Sequence, residues 1–278
     1  MAPEEDKEYL YLDLMKKCLT NWIYGDEEKV RVLPKSFLKR KIVSLCERRG
    51  FEFVHLRRMN PELRITGRDW EDGFGFPQAH TMIGLKRLDN IQFCINSILS
   101  NNIQGDIIEC GVWRGGTVIF MRAILKVYGI SDRIVWVADS FEGCPQPDET
   151  KYPQDKGLDF YLNKDIGVDL EKVKHNFERY GLLDDQVRFL KGWFKDTLPQ
   201  APMHKLALLR LDGDLYESTM DALVNLYPKL SAGGYVIVDD FNRIPACRKA
   251  VFDYRESHGI EDEIIKIDQD ASYWRRSR

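Results

Sequence analysis

Apolar residues fall into two regimes along the chain. Before residue 100 they recur at helical spacing. Leu10, Leu12, Leu14, Met15, Cys18 and Leu19 mark an amphipathic helix over 5–23, residues 35–48 a second one ending ahead of Gly50, and Leu85–Leu99 a third. The segment 50–84, rich in Gly, Pro, Arg and aromatic residues, reads as loop. From residue 106 short apolar runs alternate with helical patterns. Strands are predicted at Asp106–Cys110, Ile134–Ala138, Val187–Leu190, Leu206–Leu211 and Gly234–Val238. Helices are predicted at Gly116–Tyr128, Asp169–Tyr180, Glu217–Tyr227 and Ile244–His258. Near-continuous apolar strands separated by helices predict a parallel sheet covered on both faces, an α/β fold. Glu263–Ile267 and Ala271–Trp274 predict a terminal hairpin added to it. The long connection 139–168 is expected to form a lid, with Phe141, Tyr152, Phe160 and Tyr161 walling a ligand pocket.

Composition narrows the partners. The 278 residues carry a net charge of −3, with no basic excess to suggest nucleic acid. No apolar run approaches the ~20 residues that span a bilayer. The opening MAPEEDKEYL is unlike a secretory signal. Six scattered cysteines without a CxxC pair argue for reduced thiols, and a cytoplasmic location is expected.

Candidate chemistry sits at strand ends. DIIECGVWRGGT closes the first strand with Gly111, Gly115 and Gly116 ahead of a helix. A glycine turn there lets a ligand approach the backbone, but the dinucleotide fingerprint GxGxxG is absent. Glu109 disfavours a pyrophosphate and suits a cationic or hydroxylated group. Asp139, at the tip of the next strand, suits a ribose. Together they point to a nucleoside without a phosphate; each alone would fit an ordinary turn. Two further strands end on acids, in LLRLDGDLYEST (Asp212, Asp214) and GGYVIVDDFNR (Asp239, Asp240). Neighbouring parallel strands lie about 4.8 Å apart, so these carboxylates can converge, and an all-oxygen set suits Mg²⁺ or Ca²⁺.

As a set, GDIIECGVWRGGT, VADSFEG, GWFKDTLP, LLRLDGDLYEST and GGYVIVDDF resemble the TylF-type macrocin O-methyltransferase family, over roughly residues 80–258. The resemblance implies a class I methyltransferase fold, Rossmann-like, with a mostly parallel seven-stranded sheet. It divides the chain into an N-terminal helical extension and covering segment (1–84) and a methyltransferase domain (85–278). It implies S-adenosylmethionine as donor, Mg²⁺ as metal, a small-molecule glycoside as acceptor, and a homodimer without nucleic-acid or membrane partners. Asp212, Asp239 and Asp240 match the metal ligands and Asp214 the general base. Glu109, Gly111, Asp139 and Ser140 belong to the donor site. Thr81, Met82 and Ile83 match a segment closing over the donor, and Trp193 an adenine neighbour. Three rivals remain open at this point: a metal-dependent catechol or phenol O-methyltransferase, a nicotinamide-dependent oxidoreductase, and a non-catalytic nucleoside-binding or scaffold protein.

Overall fold

A computed structural model of the chain describes residues 6–24, 27–31, 36–51, 53–58, 65 and 79–278. Helix α1 (Lys7–Leu19) is opened by Asp6, whose carboxylate accepts a hydrogen bond from Glu8 N at 3.1 Å. It is shorter than expected, ending in a separate 3₁₀ turn at Trp22–Tyr24. Strand β1 (Glu27–Arg31) pairs antiparallel with β2 (Val54–Arg58), and α2 (Phe37–Glu47) lies between them in sequence. This ribbon corrects the reading of 50–84 as loop throughout. EEKVR and VHLRR hold only Val30, Val54 and Leu56 as apolar residues, too few for a period-two signal. Positions 52, 59–64 and 66–78 of that expected loop lie outside the described residues.

The main body then alternates. Its elements are α3 (Leu85–Ser100), β3 (Asp106–Cys110), α4 (Gly116–Val127), β4 (Val135–Asp139), α5 (Leu170–Arg179), β5 (Val187–Lys191) and α6 (Phe194–Thr197). They are followed by β6 (Leu206–Leu211), α7 (Tyr216–Leu226), β7 (Leu230–Val238), α8 (Pro245–Ser257), β8 (Ile265–Lys266) and β9 (Ser272–Arg275). The sheet order is β5-β4-β3-β6-β7-β9-β8. β3 to β7 are parallel, and the terminal hairpin joins antiparallel along β7. Strand β7 begins at Leu230, earlier than the expected Gly234, because its first residue pairs with Leu206 before a register shift.

Side chains alternate across each strand, so each face has its own core. Leu88, Ile91, Ile95, Phe120, Ile124 and Phe177, from α3, α4 and α5, fill one side. Leu223, Leu226, Val251, Tyr254 and Trp274, from α7, α8 and β9, fill the other. The sequence order reverses between β3 and β6. Such a switch point leaves a crevice outside the carboxyl ends of the strands, where open α/β sheets bind ligands.

One short strap crosses this crevice ahead of α3. His80 N donates to Leu19 O (2.9 Å), and Gly116 N, at the start of α4, donates to His80 O (2.8 Å). A Cβ on Gly116 would lie 2.4 Å from that carbonyl oxygen, so the approach requires glycine. The His80 ring meets Tyr180 edge-on, with Nδ1 2.7 Å from the Tyr180 hydroxyl. Burial first, and then Arg179, Arg114 and Lys172, lower its pKa from an ordinary 6.5 to about 4. Between those values the unfolded chain binds a proton that the folded one does not, so the contribution of His80 to stability falls as pH drops from 6.5 towards 4. Because Glu109 and Asp212 titrate in the same window with the opposite sign, the effect is read by difference: from pH 7.5 to 4.5 the denaturant midpoint of wild type should fall relative to that of His80→Gln.

Candidate active site

The crevice is a cavity of about 450 Å³. Thr81, Met82, Ile83, Glu109, Gly111, Asp139, Ser140, Trp193, Asp212, Asp214, Asp239 and Asp240, the site residues singled out in the sequence, all line it. Gly111 follows β3 with φ +88°, and a Cβ there would fall 1.8 Å from Asp212 O. Only glycine permits this meeting of the β3 and β6 tips. Asp139 Oδ2 accepts from Val112 N and its Oδ1 from Phe141 N, each at 2.7 Å. The carboxylate thus braces the glycine turn. Burial nevertheless raises its pKa. Ser140 Oγ bonds Gly143 O at 2.7 Å and so shapes the turn after β4. Thr81 Oγ1 lies 3.4 Å from Thr117 Oγ1, holding the strap on the first turn of α4.

Glu109 and Arg210 are register partners on β3 and β6, and both point to the α3 face. Arg210 is fully buried and bonds Glu109, Asp212 and Asp239. A second buried arginine, Arg87 of α3, bonds Asp239 at 2.6 Å, Asp268 at 2.7 Å, and Asp270. Both oxygens of Asp239 are therefore held by guanidinium groups, which keep its pKa low despite its burial. Asp212, Asp214 and Asp240 form a different group, with ligand oxygens all within 4.8 Å of one another. Burial, then neighbouring acids, push the Asp212 carboxyl up to about 7 and Asp240 well above the carboxylate range. The carboxylate of Asp214 is among the acids that raise Asp240. Asp240 Oδ2 and Glu109 Oε2 are buried without a hydrogen-bond partner. Asp214 itself takes a left-handed conformation, φ +59°, and Cys144 Sγ lies 3.5 Å from its Oδ2. An all-oxygen cluster of this kind, with one orphaned oxygen and displaced pKa values, fits a divalent cation.

The connection 139–168 lines part of the cavity and contains three 3₁₀ turns: Pro153–Asp155, Phe160–Leu162 and Lys164–Ile166. Of its four aromatics only Phe160 lines the cavity. Phe141 turns instead into the core against Phe189, and Tyr152 packs on Tyr216. Apolar character alone could not separate a ligand wall from a core anchor. The sequence reading also passed over Arg87 and Arg210. Arg210 was detectable, since a lone cation inside LALLRL demands buried acids. Arg87 had no such signal, because its partners lie 152 to 183 residues away.

Strand order, glycine turn and strand-tip acids together define a class I methyltransferase, an enzyme class that draws its methyl group from S-adenosylmethionine. The sequence model of the family described as Macrocin-O-methyltransferase (TylF) matches residues 8–276, and the chain belongs to that family. It is 50% identical over 274 residues to 8-demethyl-8-(2,3-dimethoxy-alpha-L-rhamnosyl)-tetracenomycin-C 4'-O-methyltransferase of Streptomyces olivaceus, covering 98% of this chain and 95% of that protein. It is 46% identical to mycinamicin III 3''-O-methyltransferase of Micromonospora griseorubida, with both chains covered fully. The solved structure of the O-methyltransferase NovP superposes with a TM-score of 0.83 at 47% identity, covering 98% of this chain and 100% of that one. The chain is thus an O-methyltransferase, and the oxidoreductase and scaffold readings fall away. Among the described residues no helix is long and apolar enough to cross a membrane.

Removing one partner from a buried ionic network strands the others. Arg87→Met should therefore lower unfolding free energy by about 3–5 kcal/mol in urea titrations at neutral pH.

Proposed function

We propose that this enzyme transfers a methyl group from S-adenosylmethionine to a sugar hydroxyl of a glycosylated natural product, with Mg²⁺ as its metal. The observation that carries the reading is the meeting of Asp212, Asp214 and Asp240 in the cavity that also holds the glycine turn and Asp139. The relatives support the acceptor class: one printed name includes a rhamnosyl group and a 4'-O position, another a 3''-O position.

On this reading Asp139 takes the ribose hydroxyls of the donor, with Ser140 shaping its turn. Glu109, buried and raised to about 8 chiefly by burial, offers its unpartnered oxygen to the donor's ammonium group. Thr81, Met82 and Ile83 close over the donor, and Trp193 flanks the adenine. Bound Mg²⁺ supplies Lewis acidity that lowers the pKa of an acceptor hydroxyl. Asp212, Asp239 and Asp240 would hold the ion, and Asp214 would accept the hydroxyl proton. Burial raises the Asp214 pKa, which brings its basicity closer to that of an efficient proton acceptor at neutral pH. Transfer then needs in-line alignment of oxygen and methyl carbon more than charge stabilisation.

The same reading includes a dimer and a reducing, cytoplasmic setting. Phe37, Leu38, Ile42 and Leu45 of α2 are exposed and offer apolar surface to a second copy. The six cysteines are all free thiols.

Methyl transfer assayed against a glycoside panel and a catechol panel, with Mg²⁺ and with chelator, tests the proposal. Turnover is expected on glycosides only, and only with metal; catechol turnover would move the acceptor class. Asp214→Asn should cut kcat by about 10²-fold or more, leave S-adenosylhomocysteine affinity within about twofold, and leave the Mg²⁺ concentration for half-activation unchanged. A raised Mg²⁺ requirement would make Asp214 a ligand instead. Asp240→Asn should raise that requirement.

A further inference from the structure

Helix α7 starts two residues after Asp214, and its N-cap residue, Leu215, makes no side-chain hydrogen bond to the helix. The first N–H groups of a helix have no partner within it. Here they are met from the lid. Asp155 Oδ1 accepts from Tyr216 N at 2.6 Å, and its Oδ2 accepts from Glu217 N at 3.1 Å. Asp155 is 0% exposed, although Gln154 and Lys156 on either side are exposed. A negative charge at this position also complements the positive end of the helix. The surroundings reinforce the contact. The Tyr152 and Tyr216 rings lie 5.9 Å apart, and Leu158 and Phe160 pack against the core beneath α7 and α8. Leu158, Phe160 and Asp214 line the same cavity.

We propose that Asp155 is a positioning residue: from within the lid it caps α7, which holds the lid over the acceptor half of the cavity and fixes the turn that presents Asp214. Losing the carboxylate frees both at once. The lid keeps further ties, among them Trp113 Nε1 to Asp165 O at 3.0 Å and Cys144 Sγ to Asp214 Oδ2 at 3.5 Å, so it loosens over α7 without detaching. The left-handed turn at Asp214 then loses the helix start against which it is braced. The consequence for turnover rests on the methyl-transfer reading; the capping itself does not.

The test compares wild type, Asp155→Ala and Asp155→Asn as full chains with S-adenosylhomocysteine present. Hydrogen exchange is followed at Tyr216 and Glu217, and trypsin cleavage at Lys151, Lys156 and Lys164. Asp155→Ala should speed exchange at the two amides by about tenfold, the scale of one lost buried hydrogen bond, and should speed cleavage in the lid. Exchange in β3 and β4 and S-adenosylhomocysteine affinity should stay at wild-type values. Asp155→Asn keeps one acceptor oxygen and should fall between the two. Unchanged exchange at Tyr216 and Glu217 overturns the proposal. So does acceleration that is uniform across the whole chain in both variants. On any glycoside that wild type methylates, Asp155→Ala should raise KM and lower kcat, with partial rescue in Asp155→Asn; wild-type constants in Asp155→Ala would also overturn it. If no glycoside is methylated while the exchange pattern holds, the cap stands and the acceptor assignment fails.

Discussion

Charge balance at the carboxyl edge of the sheet governs this site. Glu109, Asp212, Asp214, Asp239 and Asp240 are brought together with two buried guanidinium groups, those of Arg87 and Arg210. The arginines are not spread evenly. They saturate Asp239 and reach Asp212 and Glu109, while neither forms an ion pair with Asp214 or Asp240 among the described contacts. A low-dielectric crevice with surplus negative charge favours cations over anions. The two arginines prevent that surplus from forcing the strand tips apart.

Backbone geometry makes the charge arrangement possible. Because β3 and β6 flank the reversal in strand order, their tips can converge, and Gly111 lets them touch. The ladder continues one residue past the strands: Asp212 N bonds Cys110 O and Asp239 N bonds Leu211 O, each at 2.9 Å. Successive acids are therefore levelled by main-chain hydrogen bonds before any side chain acts. Glu109, Arg210 and Asp239 share one face of the sheet through the period-two alternation of strands.

Much of this was legible in the sequence because it is local. Strands such as Leu206–Leu211 declare themselves by apolar runs, and GVWRGG declares a turn between strand and helix. The pairing of DGD with VDD needed one added rule, that parallel strands carry ligands at their carboxyl ends. Non-local facts stayed hidden. The ribbon of β1 and β2 has too few apolar residues to show a period. Phe141 and Phe160 are alike in the sequence, yet one enters the core and the other the cavity. The allocation of Asp239 to two arginines depends on which acids reach Arg87 across the fold, and no spacing rule encodes that.

Arg87 joins an early helix to one of the last turns of the chain. On a ribosome it emerges long before its partners, and Asp239 follows some 150 residues later. Asp268 and Asp270 come later still. Helices α3 and α4 can collapse on β3 and β4 while translation continues, since domains begin to fold from the N-terminal side. The acidic centre cannot close until the β8–β9 turn is free of the exit tunnel. Such long sequence separations also slow the final step. The nascent protein thus passes through an interval in which its apolar layers are assembled and its reactive centre is still open.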